Sequence, residues 1–183
     1  MVTRLLLLLG LALPAQAAEV AGVKIDDSAR VAEAPLALRG AGLRKRFFLD
    51  VYAIGLYVAE RNVDPIAQGG AKRVAIHMLR DVDADTFAQA LVDGMRPNHD
   101  AAAMQGLDAR IGRLNAIMAG MKEARKGMVI LLDWLPGAGT QVTIDGKAAG
   151  KPIEGEDFYS ALLRIWLGDK PVQADLKKAL LGG

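Results

Sequence analysis

Val51-Tyr52-Ala53-Ile54-Gly55-Leu56-Tyr57-Val58 decides the architecture. In an extended chain alternate side chains leave on opposite faces, so Tyr52, Ile54, Leu56 and Val58 share one face and Val51, Ala53, Gly55 and Tyr57 the other. Both sets are apolar and rich in β-branched and aromatic residues, which makes residues 47–59 a central strand covered on both sides.

Working outward, residues 19–25 alternate weakly and predict a first strand, and residues 35–39 a short second one after the polar turn Asp26-Asp27-Ser28. Gly40-Ala41-Gly42 then reads as a tight turn leading to the central strand. Downstream, Asp64-Pro65 opens a short turn of helix that ends at Gly69-Gly70, and residues 73–79 return as a strand. Phe87, Leu91 and Met95 recur every four residues on a helix capped by Asp83 or Asp85 and broken by Pro97. A second helix starts near Asp100, with Met104, Leu107, Ile111, Leu114 and Met118 on its buried stripe. Residues 127–134 form an apolar strand, and Asp145-Gly146 joins residues 140–144 to 147–149 as a type I′ hairpin. Phe158, Leu162, Leu163 and Trp166 mark a helix ending at Gly168, followed by a short one over 175–181. Strands at both ends of a helical middle predict an α+β fold, a large antiparallel sheet with a layer of helices on one face.

The N-terminus reads as a secretory leader: Arg4, the apolar run 5–13, Pro14, then Ala15-Gln16-Ala17 as cleavage site. The run is too short for a membrane span, which needs about 20 residues. The expectation is a signal peptide over residues 1–17, a single domain over 18–183, no transmembrane segment after cleavage, and a periplasmic or secreted location.

Several chemistries are poorly supported. The chain has no cysteine, which removes thiol catalysis and thiolate metal sites, and its two histidines, His77 and His99, lack the spacing of a metal site. Ser28 and Ser160 sit in no nucleophile elbow. Gly40-Ala41-Gly42 lacks the third glycine and the following helix of a dinucleotide site, so no cofactor is expected. A formal net charge of +2 gives no argument for nucleic acid as a partner.

Leu38-Arg39-Gly40-Ala41-Gly42-Leu43-Arg44, leading into the 51–58 strand, together with Ser160-Ala161-Leu162-Leu163-Arg164-Ile165-Trp166-Leu167-Gly168-Asp169-Lys170-Pro171-Val172, resembles the chalcone isomerase fold family. That family includes plant chalcone isomerases, plant fatty-acid-binding relatives and exported bacterial chalcone-isomerase-like proteins. The resemblance implies an open-faced β-sandwich with an apolar cleft between sheet and helices. It also implies that an arginine after the glycine turn, here Arg44, meets a ligand's negative charge. A guanidinium on a partly desolvated wall can hold an oxyanion through two parallel hydrogen bonds. On spacing alone Arg44 would be an edge charge like Lys45 and Arg46.

The other positions depart from the isomerase pattern. A threonine of the central strand is replaced by Tyr52, whose hydroxyl could still reach a ligand or water or could simply be packed. A helix tyrosine and asparagine align with Thr86 and Asp93, and a threonine of the last helix falls at Ile165. Arg44, Tyr52, Thr86, Asp93 and Ile165 are therefore the candidate ligand-binding positions, with Arg44 and Tyr52 as the candidates for any catalytic role. A site that keeps its anion clamp and loses the surrounding donors should bind better than it turns over. Three readings follow: a non-catalytic binder of a small apolar molecule with an acidic head, such as a fatty acid; a ring-closing intramolecular lyase; and a structural module without ligand. Export favours the first, because membrane-derived acids are abundant outside the cytoplasm.

Overall fold

Alternation of apolar side chains is satisfied by a curled seven-stranded sheet, as seen in a computed structural model that describes residues 17–67 and 69–183. All of the expected leader except Ala17 lies outside the described residues. In chain order the elements are β1 (Ala18–Val20), β2 (Val23–Ile25), β3 (Ser28–Val31), β4 (Ala34–Arg46), β5 (Leu49–Val58), β6 (Lys72–Met78), β7 (Val82–Asp83), α1 (Ala84–Met95), a 3-10 turn (Arg96–Asn98), α2 (Ala101–Ala119), β8 (Glu123–Ala124), β9 (Val129–Leu135), β10 (Gly139–Ile144), β11 (Lys147–Ile153), α3 (Glu156–Leu167) and α4 (Ala174–Leu180). The main sheet runs β11-β10-β9-β6-β5-β4-β3 with every neighbouring pair antiparallel. The excursion through α1 and α2 leaves after β6 and returns to β9 beside it. The two-stranded ribbon β7-β8 closes its neck.

The helices pack on one face of the sheet. Ile54, Leu56, Val74, Ile76, Ile130 and Leu132 meet Phe87, Leu91, Leu114, Met118, Phe158 and Trp166 in one core. The opposite face carries Ala53, Tyr57 and Ala75, which pack with Ile25, Val31 and Leu36, and Tyr57 donates its hydroxyl proton to the Asp26 carbonyl at 2.8 Å. The β1-β2 hairpin thus caps part of the second face, so β5 is buried on both sides as its sequence requires. Asp83, not Asp85, caps α1 by accepting from the Thr86 amide at 3.0 Å, and Asp100 caps α2 at 2.8 Å from Ala103. Asp145 and Gly146 take the positive φ values of 47° and 77° that the hairpin demands.

Three expectations are corrected. Residues 19–25 are not one strand, because Ala21 and Gly22 at φ 50° and 79° turn the chain back on itself. Asp64-Pro65 opens turns rather than helix, with the Asp64 carboxylate accepting from the Ile66 amide at 2.9 Å. Gly40-Ala41-Gly42 is not a turn but the middle of β4, paired with Leu56, Gly55 and Ile54. Its glycines are required by close approach: a Cβ on Gly40 would lie 2.2 Å from the Ala179 carbonyl oxygen, and one on Gly42 would lie 2.6 Å from Leu176 Cδ1. The actual turn falls at Phe47-Phe48, between the paired residues Arg46 and Leu49.

The core also holds an unexpected cation. Lys72, Trp134 and Thr140 form one row across β6, β9 and β10, and Lys72 is fully buried. Lys72 Nζ and Thr140 Oγ1 have no hydrogen-bond partner among the described residues, and Nζ stands 5.9 Å from the Tyr159 ring centroid. Burial pushes the Lys72 pKa below its ordinary 10.5, partly opposed by Glu156 and Asp64. An amine with a depressed folded-state pKa binds fewer protons folded than unfolded, so its destabilising effect shrinks as pH rises toward 10.5. Lys72→Met is expected to raise unfolding free energy by about 1–3 kcal/mol at neutral pH. Urea unfolding at pH 7 and pH 10 checks this; the gain should be smaller at the higher pH, and a less stable variant would show that the ammonium is well satisfied.

Candidate ligand cavity

Tyr52 lies on the helix-facing side of β5, opposite Arg44 on β4 and Met78 on β6. Phe87 of α1 meets its ring edge-on, with centroids 6.4 Å apart at 83°. Trp166 of α3 donates its indole Nε1–H to the Tyr52 hydroxyl oxygen at 2.9 Å, a buried bond joining helix layer to sheet. Burial pushes the Tyr52 phenol pKa up, and the Trp166 donor and the Arg44 charge only partly oppose it. The phenol is therefore neutral at ordinary pH and keeps a proton to donate.

Beside this pair a cavity of about 480 Å³ opens between the β4-β5 hairpin, α1 and the segment joining α3 to α4. That size is in the range of small-molecule sites. Its walls include Leu49, Val51, Phe87, Leu91, Ile165 and Val172. Gly94 lets α1 close on α3, since a Cβ there would come within 2.7 Å of Ile165 Cγ2. The α3–α4 segment is held at both ends. Asn98 donates to the Lys170 carbonyl at 2.9 Å and accepts from the Lys170 amide at 2.9 Å. Gln173 accepts from the Lys45 amide at 2.9 Å and donates to the Leu43 carbonyl at 3.1 Å.

All five candidate positions border this one cavity. Arg44 is half-buried, and its Nη1 donates to the Lys45 carbonyl and to Gln173 Oε1 at 3.3 Å. The guanidinium also lies beside the Tyr52 hydroxyl, and among the described residues no carboxylate or carbonyl engages its Nε or Nη2, so one side of the fork is available to an anion. Ile165 is 2% exposed and presents only hydrocarbon. Thr86 and Asp93 are exposed, and Asp93 is occupied by Gln89 Nε2 at 2.8 Å and by Arg96 at 3.7 Å.

Arg46, Arg80 and Lys170 also line the cavity and were not singled out by the sequence; with Arg44 they set four cations against the single carboxylate of Asp93. Arg80 carried no signal in sequence; the register that pairs Met78 with Tyr52 is what sets it, two residues further on, against the cavity. Asn98, Trp166 and Gln173 carried none as positioning residues. The histidines stand apart: His77 pairs with Ala53 on the sheet face away from the cavity, and His99 Nδ1 is bonded to the Met95 carbonyl at 2.8 Å. Among the described residues no cluster of three or more His, Cys, Asp or Glu could hold a metal, and no helix is long and apolar enough to cross a membrane. An apolar chamber with a cationic rim and one neutral phenol can hold an amphiphilic anion.

No curated protein sequence matches the chain. Among solved structures, a fatty-acid binding protein of Arabidopsis thaliana has the same fold, with a TM-score of 0.66 at 15% identity, covering 87% of this chain and 92% of that one. The sequence pattern of chalcone isomerase-like proteins matches residues 17–182. With that match spanning the sheet and all four helices, the chain belongs to the chalcone isomerase-like family.

Proposed function

We propose that the protein is an exported, non-catalytic binder of a small apolar acid such as a fatty acid, held in the sheet–helix cavity with Arg44 on the acid head. The observation that carries this reading is the pairing of an apolar chamber with the half-engaged Arg44 guanidinium at its rim. The rim excess of cations adds a long-range attraction for an anion. Tyr52 stands ready to donate a second hydrogen bond, while Ile165 contributes none, and Asp93 is already paired. The fold shared with a plant fatty-acid binding protein supports the same ligand class. Export rests on the leader pattern at residues 1–17.

Displacement of a fluorescent fatty acid by palmitate tests the reading. Saturable displacement is expected, with hexadecanol roughly tenfold weaker or worse, because a charge-assisted pair contributes about 1.5–3 kcal/mol. Absence of displacement, or equal affinity for acid and alcohol, would sink it.

The intramolecular lyase is kept as a second reading because the neutral Tyr52 hydroxyl sits beside Arg44, an arrangement able to place a proton next to a stabilised phenolate. It requires that the protein cyclise a hydroxychalcone faster than buffer does.

A further inference from the structure

The tip of the β4-β5 hairpin is built against its own local preferences. Arg46 pairs with Leu49, leaving Phe47 and Phe48 as a two-residue loop. Phe47 is 87% exposed and Phe48 89%, and Leu49 behind them is partly exposed as well. Phe47 sits at φ 56°, in the left-handed region where glycine or asparagine is the ordinary occupant and an aromatic residue is strained. The same protein uses Asp145-Gly146 for its β10-β11 turn and Ala21-Gly22 for β1-β2. Ala21 and Ala32 also take positive φ, at 50° and 48°, so what sets the Phe47-Phe48 turn apart is its two exposed aromatic rings. Two adjacent phenylalanines in water, one of them strained, contribute nothing to the fold and point to a surface that buries them.

Charge identifies that surface. Arg44, Lys45 and Arg46 directly precede the rings, and Arg80 and Lys170 stand around the same cavity mouth. Of the acids, Asp50 lies 3.7 Å from Lys45 and Asp93 is paired with Arg96, while Asp81 and Asp169 adjoin Arg80 and Lys170 in the chain. A protein of net charge +2 thus gathers five cations behind an aromatic point. Aromatic rings placed ahead of a cationic collar match a layered partner, apolar below and anionic at its surface. We propose that the Phe47-Phe48 tip docks the protein on an anionic lipid bilayer. Because Arg44, Arg46 and Leu49 of this hairpin also line the cavity, docking brings the cavity mouth to the membrane. Docking stands on the tip alone; passage of an acid between bilayer and cavity rests in addition on the function proposed above.

Residues 18–183 hold every strand and helix described and omit the apolar run 5–13, which would bind vesicles by itself. Sedimentation of this chain with phosphatidylcholine–phosphatidylglycerol vesicles should show binding that high salt weakens and that falls roughly tenfold or more on pure phosphatidylcholine. The double variant F47G/F48S should lose a similar factor or more. Glycine suits the backbone at Phe47, so an unchanged or raised Tm is expected of it. Failure of the wild type to bind the anionic vesicles, or equal binding by the variant, would overturn the proposal. So would a dimer in vesicle-free solution that dissolves on F47G/F48S substitution, since the tip would then serve a second copy. Fatty-acid displacement run on both chains separates the two ideas: tip-dependent vesicle binding without displacement would refute the proposed ligand and leave docking standing.

Discussion

Gly40→Ala is expected to cost about 3 kcal/mol of stability, although it adds a single methyl group. The new Cβ would lie 2.2 Å from the Ala179 carbonyl oxygen and 2.7 Å from that of Leu180, and both obstacles are backbone rather than the end of a flexible side chain. The strand yields little, because Gly40 is paired with Leu56 of β5, and three residues upstream Ala37 is paired with Ser28 of β3. The helix α4 must therefore lift, and with it Leu176 and Leu180, each 2% exposed where they pack into the core. Burial of one such leucine is worth about 1.5–3 kcal/mol, so even partial lifting accounts for the loss. Gly106→Ala is the matched control. Gly106 is exposed in the interior of α2 with nothing near its missing side chain, and the same change there should stabilise by about 0.5–1 kcal/mol. Urea midpoints of the two variants decide the matter, and a Gly40→Ala chain within about 1 kcal/mol of wild type would show that α4 is loosely docked. Since Gln173 at the start of α4 holds the cavity wall to β4, Gly40→Ala should weaken ligand binding too.

Arg44→Met should weaken binding of a long-chain carboxylate by about 10–100-fold while changing the affinity for the corresponding alcohol much less. Methionine keeps an apolar stem over the cavity rim and removes only the guanidinium. The wall should survive, because Gln173 keeps its bonds to Leu43 and Lys45 when its contact with Arg44 is lost. Titration calorimetry with acid and alcohol separates a lost charge from a lost shape. Equal losses for both ligands would mean a deformed cavity, and no loss for the acid would remove Arg44 from the site. Arg46, Arg80 and Lys170 supply attraction at longer range, so raising the ionic strength should weaken binding in the variant as well as in the parent chain.

The candidate site shows how far residue patterns reach. Arg44, Tyr52, Thr86, Asp93 and Ile165 are spread over 122 positions of chain yet border one cavity, and family resemblance rather than spacing brought them together. Their differences in setting were not legible. Tyr52 of β5 and Ile165 of α3 are buried, while Thr86 and Asp93 lie on the exposed flank of α1, whose other flank carries Phe87 and Leu91 into the core. Aromatic residues favour strands, so Phe47-Phe48 reads in sequence as the start of one; only the hairpin register shows that both rings stand in water. Lys72 stands just before the strand expected over residues 73–79, and it is the row it shares with Trp134 and Thr140 that buries it.

The pattern of residues along the chain is enough to set the class of the fold. Apolar residues on both faces of 51–58, carboxylates at the starts of α1 and α2, and Asp145-Gly146 between two strands are local statements, and local geometry obeys them. It also determined which central strand the rest would surround. What Gly40 and Gly42 are for, where the hairpin turns, and how a cavity forms depend instead on packing between segments far apart in the chain. A glycine that bends a chain and a glycine that admits a helix read alike, and the distinction depends on Ala179 and Leu176, far along the chain. The cavity depends in the same way on Asn98 and Gln173 holding a segment across the gap between α1 and β4. Such contacts follow from where distant backbones come to rest, which no short stretch of residues encodes alone.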